Sequence, residues 1–220
     1  MSFSTLLEQA SGYAAAYQAN DVTTAEMKSA ILEWFRLYYQ QVADDGQDPC
    51  QQIPYTIVRK LTKTVFSEYN ASSQDKFVAA LLDELKICAP EAMQMTLIGG
   101  ESLIKPIITG NRIQFAVLPR HSILVFGRDP YGKMTDIGTA EYSVHGNWYY
   151  TLLERRTVDE KGYLTIRNKL YRSSAKGTLG QEVRLSSLPQ YADLQEVYTY
   201  TKPVGSIGLI SLRTPMVNCV

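Results

Sequence analysis

Leu97-Ile98-Gly99-Gly100-Glu101-Ser102-Leu103-Ile104-Lys105-Pro106-Ile107-Ile108 is the stretch that decides the fold. Ahead of the glycine pair, apolar residues recur at three- and four-residue steps; behind it, they alternate every second residue. Glycines placed after a helical pattern and before a strand mark a tight helix-to-strand connection. The pair is not a phosphate loop, because no G-x-x-x-x-G-K-[ST] or G-x-G-x-x-G pattern accompanies it and it leads into a strand instead of opening a helix. The chain therefore reads as a helical region over residues 1–98 followed by a β-rich region over residues 99–220, an α+β order.

Working back from the glycines, Glu91 to Leu97 reads as helix restarted at Pro90 after a break. Phe77, Leu81, Leu82 and Leu85 mark a fourth helix, with Ser72 or Ser73 as its cap. A third begins at Pro54: Ile57, Leu61 and Val65, with Val58 beside them, form an apolar side, and Arg59, Lys60 and Lys63 a basic one that reads first as a solvated face. Ala43 to Gln52, with Gly46 and Pro49, reads as a loop. In the second helix Thr23 and Glu26 have capping-box spacing, and Met27, Ile31, Trp34 and Tyr38 fall on one face with Leu32 and Phe35 beside it; this stripe reads as core more readily than as a ligand box. The first helix, about Thr5 to Gln18, carries Leu6, Leu7, Ala10, Tyr13, Ala14 and Tyr17, and Gly12 weakens it by roughly 1 kcal/mol relative to alanine.

Forward from the glycines, eight strands are expected: Ser102 to Ile108, Arg112 to Leu118, Ile123 to Arg128, Thr135 to His145, Asn147 to Thr157, Tyr163 to Tyr171, Glu182 to Leu185 and Ile207 to Arg213. Thr109-Gly110-Asn111, Asp129-Pro130-Tyr131-Gly132, His145-Gly146-Asn147 and Asp159-Glu160-Lys161-Gly162 supply turn chemistry between them, so consecutive hairpins and a mostly antiparallel meander follow. Leu188 to Leu194, with Pro189, reads as a short helical turn. No repeat of 20 to 50 residues is present.

With 220 residues the chain is long enough for a real core. Its 22 basic and 22 acidic residues cancel, so no global field draws it to nucleic acid or membrane. Fifteen tyrosines against six phenylalanines suit half-buried surfaces, in interfaces or in ordinary sheets. Cys50, Cys88 and Cys219 are odd in number and far apart, which gives neither a disulfide framework nor a zinc site. Met1 to Leu7 has no basic-then-apolar leader pattern and no apolar run reaches bilayer length, so the sequence reads as soluble and intracellular.

Catalytic chemistry finds little footing. His121 and His145 are the two histidines, and His145 falls in an expected hairpin turn. Ser122 follows His121 without a G-x-S-x-G elbow. Asp83 and Glu84 are helix neighbours that point apart, and Asp44 and Asp45 lie in the loop, so neither pair makes an acid/base dyad. No catalytic residue, cofactor or metal ligand is assigned. Arg155, Arg156, Arg167, Lys169 and Arg172 stand on neighbouring strands and are candidate nucleic-acid contacts if they share a face, although Glu154, Asp159 and Glu160 dilute them.

Several runs together resemble the N-terminal half of tailed-bacteriophage portal proteins of the prophage type found in Gram-positive bacteria. They are Ala30-Ile31-Leu32-Glu33-Trp34 with Tyr38-Tyr39, Leu97-Ile98-Gly99-Gly100 leading into Leu103-Ile104-Lys105-Pro106, and Thr151-Leu152-Leu153-Glu154-Arg155-Arg156. Leu164-Thr165-Ile166-Arg167-Asn168-Lys169-Leu170-Tyr171 and Leu188-Pro189-Gln190-Tyr191-Ala192-Asp193-Leu194 complete the set. The resemblance spans nearly the whole chain through diffuse patterns.

It implies one continuous wing-like domain, the outer α/β part of a usually dodecameric ring at a capsid vertex. Through that ring DNA is packaged and ejected, and on it the terminase and the head-tail connector dock. Implied partners are other portal subunits, capsid, terminase and connector proteins, and DNA in the channel, with no membrane; the implied place is the virion, and the host cytoplasm during assembly. Stem, clip and crown have no counterpart, and an end at Asn218-Cys219-Val220 after an expected strand looks like a cut within a longer fold. The expected product is a structural protein, not an enzyme. Trp34 and Tyr38, and an exposed Trp148-Tyr149-Tyr150 cluster, are candidate subunit contacts, with burial in the chain's own core as the competing reading. A nucleic-acid-binding module using the Arg155 to Arg172 strands, and an α+β hydrolase in which His121 or His145 meets a carboxylate, are the alternatives.

Overall fold

The structure, a computed structural model, describes residues 10–39, 53–109 and 112–214. The helices are α1 (Ala10–Tyr17), α2 (Ala25–Tyr38), α3 (Ile53–Phe66) and α4 (Lys76–Gly99). The strands are β1 (Glu101–Thr109), β2 (Arg112–Pro119), β3 (Ile123–Arg128), β4 (Met134–His145), β5 (Trp148–Val158), β6 (Leu164–Ser173), β7 (Gln181–Val183), β8 (Val197–Thr199) and β9 (Ile210–Arg213). Helices first and antiparallel strands after them make the fold α+β, as the periodicity predicts. The expected starts of the first helix, the 43–52 loop, the centre of the Thr109-Gly110-Asn111 turn, Cys50, Cys219 and the C-terminal end lie outside the described residues. Among the described residues no helix is long and apolar enough to cross a membrane.

Two compact units form, one from residues 1–24 and 121–208, the other from 25–120 and 209–220. In the second unit, α4 packs on a three-stranded sheet ordered β2-β1-β9. Cys88 and Ala92 of α4 bury Ile104, with Leu85, Phe115, Val117 and Leu212 around them. Cys88 is thus a free, buried thiol. The glycine step closes α4: Gly100 takes φ 80°, where a side chain would be strained, and its N–H donates to the Thr96 carbonyl at 2.8 Å. Thr96 and Ser102 brace the joint, their hydroxyls 2.7 Å apart and both donating to the Ala92 carbonyl.

Three expectations for this unit are corrected. Pro90 sits inside one continuous 24-residue helix and starts no new one; proline removes a single donor, and the sheet packing of α4 outweighs that loss. The cap of α4 is Asp75, whose Oδ1 accepts from the N–H groups of Phe77 and Val78, while Ser73 merely receives the Asp75 N–H. The hairpin β1–β2 pairs with β9 and not with the following strands, so the expected single meander is two sheets.

In the other unit β3-β4-β5-β6 run antiparallel in sequence order, and β7 and β8 both pair with β6. Twin turns join the hairpins: Asp129 Oδ1 accepts from the N–H groups of Tyr131 and Lys133, and Asp159 Oδ1 from those of Lys161 and Tyr163. Both faces are covered. On one lie single 3-10 turns, Leu185–Ser187 and Pro189–Tyr191, which bury Leu185, Leu188 and Tyr191 on Tyr150, Leu152 and Leu170. On the other, α1 seats Tyr17 over Gly138, where a Cβ would approach its ring to 2.8 Å. The short turn around Pro189 was expected; β8 and the turn at Leu185 were not.

Candidate functional site

The residues singled out by sequence fall into three groups. Tyr38 is buried: its ring packs on Tyr39 and Tyr55, and its hydroxyl donates to Gln94 Oε1 at 3.1 Å. Burial pushes its phenol above the ordinary tyrosine range. Trp34, one turn away, is 56% exposed. The reason is a rotation of the buried stripe, which runs through Ile31, Phe35 and Tyr38 and leaves Met27 and Trp34 outside.

The Trp148-Tyr149-Tyr150 cluster is likewise not uniformly exposed. Tyr150 is 6% exposed and belongs to the core beneath the 3-10 turns, Tyr149 is half-buried, and Trp148 is exposed with the Arg172 guanidinium 4.5 Å above its ring. Alternation along β5 accounts for the split, since Tyr149 and Tyr150 must point to opposite faces.

The basic stripe does not assemble on one face. Arg155 stands opposite Arg167, and Leu153 opposite Lys169, so Arg155, Arg167 and Lys169 share a side; Arg156 opposes Ile166 and Arg172 opposes Tyr150, which puts those two on the other. Most of the charges are also engaged locally. Arg155 donates to both Asp136 oxygens at 2.9 and 2.6 Å and to the Tyr17 carbonyl at 2.8 Å, fastening α1 to the sheet. Arg156 is buried, donating to Glu154 at 2.8 Å and to the Ile207 carbonyl at 3.1 Å. Lys169 lies 3.4 Å from Glu182. Arg167 and Lys169 line a cleft of about 120 Å³ beside β7 and β8, whose wall also holds Glu182 and Glu196. Asn168, within the resemblant asparagine-lysine step, is buried there, donating from Nδ2 to the Gln195 carbonyl and from its backbone to that of Glu196.

His121 is buried, and burial pushes its imidazole down to about 4, so it is neutral at neutral pH. His145 ends β4 in an exposed position. Among the described residues no three His, Cys, Asp or Glu side chains gather as a metal site would need.

The apolar side that the sequence marks on α3 stays open, apart from Val58. The helix buries Val58 and Thr62, whereas Ile53, Ile57, Leu61 and Val65 are each about half exposed, at 48–54%. The four-residue apolar spacing marks amphipathicity without saying which face the fold covers. No protein-family model matches the chain, and no curated protein is similar to it.

Proposed function

We propose that this chain is a structural virion protein resembling the wing part of a phage portal, a subunit built to pack against other subunits. The observation that carries the reading is the aliphatic face of α3: a row of four residues held half in water is the kind of continuous apolar surface that marks a protein-protein contact. Trp34, standing exposed on α2, adds an aromatic of the type that anchors such contacts. The resemblant runs are also structurally coherent: the glycine step ends α4, Thr151 to Arg156 lies in β5, Leu164 to Tyr171 in β6, and Leu188 and Tyr191 close the core of their unit.

A nucleic-acid module is the weaker reading because its five cations are split between two faces and mostly engaged by carboxylates, carbonyls or a ring. A hydrolase is weaker still, since an imidazole pushed down to about 4 is a poor base at neutral pH. Light scattering after size exclusion of the product of the whole gene tests the proposal. A ring-sized mass is expected; a monomer overturns the portal reading, and DNA binding that falls steeply with salt would put the nucleic-acid module in its place.

A further inference from the structure

Two outward helix faces of the unit formed by residues 25–120 and 209–220 are complementary. On α3, Ile53, Ile57, Leu61 and Val65 follow one another at four-residue steps, bordered by Lys60 with Lys63 beyond it; the helix has three basic residues and no acidic one. On α2, Met27, Ala30 and Trp34 form an exposed ridge at three- and four-residue steps, bordered by Glu26 and Glu33. The α3 face is apolar with a basic border; the α2 ridge is apolar with Glu26 and Glu33 along its border, while the same helix also carries Lys28 and Arg36. The surface pair between Glu33 and Arg36 is exposed and therefore weak enough to exchange partners.

These faces cannot meet within one chain. Helices α2, α3 and α4 already pack through their other sides, Ile31, Phe35 and Tyr38 on α2 and Val58 and Thr62 on α3, with the Tyr38 and Tyr55 rings 5.4 Å apart. We infer that the α3 face of one copy docks on the α2 ridge of a second copy, Trp34 packing along the Ile57-Leu61 row and Glu26 and Glu33 facing Lys60 and Lys63. Because the two patches differ, the contact is head-to-tail, and each copy keeps a free α3 or α2 face for the next. Opposite borders select this orientation over α3 on α3, which would bring lysines together.

The inference builds on the reading of the chain as an assembly subunit and fails separately from it. Sedimentation equilibrium is measured on the wild-type chain, on Lys60→Glu/Lys63→Glu, on Glu26→Lys/Glu33→Lys, and on an equal mixture of the two variants, with circular dichroism confirming that each is folded. All four substituted side chains lie on the surface of their helices, and Leu61→Asp serves as the apolar control. The expected result is self-association of the wild type, weakened about tenfold or more in each variant alone and abolished by Leu61→Asp, with the mixture regaining it because the reversed charges again face opposites. A wild type that stays monomeric at every concentration, variants that associate undiminished, or a mixture that does not recover overturns the α3-to-α2 contact. Association that ignores these charges would leave the assembly reading standing on other faces. A gene product that forms no ring would remove the portal and leave the contact intact.

Discussion

The two units handle their apolar residues in opposite ways. In the unit of residues 1–24 and 121–208, the sheet is covered on both faces: Ile123, Leu124, Ile137, Leu153, Leu164 and Leu170 are fully buried, and its outward aromatics are largely tyrosines. In the unit of residues 25–120 and 209–220, α4 and its sheet bury Ala92, Leu103 and Ile104, yet the outer helices present Ile53, Ile57, Leu61, Val65 and Trp34 to water. Isolated exposed leucines need no explanation, but a continuous aliphatic row does. One unit scatters its exposed aliphatic residues, and the other gathers four of them in a row along one helix.

Substitutions sharpen the contrast. Leu170→Ala, in the closed core, is expected to cost about 2–5 kcal/mol, read from chemical denaturation; a loss below about 1 kcal/mol would mean that this core is looser than the packing implies. Arg155→Ala removes the link between Asp136 and the C-terminal end of α1, at a cost of about 2 kcal/mol. Amide exchange in α1 should accelerate more than in β5, and uniform acceleration would contradict a fastening role.

Acid provides the next test. The folded imidazole of His121 lies below the ordinary value of 6.5, so the stability it confers is present above 6.5 and is lost as pH falls towards about 4. His121→Gln should flatten the stability profile through that window. Asp75→Ala, removing the α4 cap, should cost about 1 kcal/mol. Smallest of all, Leu61→Ala on the open face should change the stability of the isolated monomer by less than about 0.5 kcal/mol; a core-sized loss would show that the face is already covered.

What the sequence revealed follows the same division. Turn residues delimited the strands around Asp129 and Asp159 well, Ile123–Arg128 to the residue, because these aspartates act through local hydrogen bonds that neighbouring residues alone determine. The expected Glu182–Leu185 and Ile207–Arg213 strands, by contrast, shorten to Gln181–Val183 and Ile210–Arg213. The continuity of α4 through Pro90 was hidden, since tertiary packing against the sheet overrides a local breaker. The separation of β1–β2 from the later strands depends on β9, more than ninety residues further on, and no hairpin signal encodes that pairing. Among candidate contacts, alternation along β5 separates Tyr149 from Tyr150, and Arg155 from Arg156, a split that the sequence alone carries. Which side of α3 the fold covers could not be read, because both Ile57 and Val58 fit a buried stripe.

The most direct measurement uses the two tryptophans. With Trp148→Phe, Trp34 becomes the sole indole, and its emission and acrylamide quenching report whether the α2 ridge is wet. The expected result is a red-shifted, readily quenched tryptophan in dilute protein that shifts to the blue and becomes protected as the protein assembles. A Trp34 already shielded in the monomer, or one equally exposed before and after assembly, would contradict it.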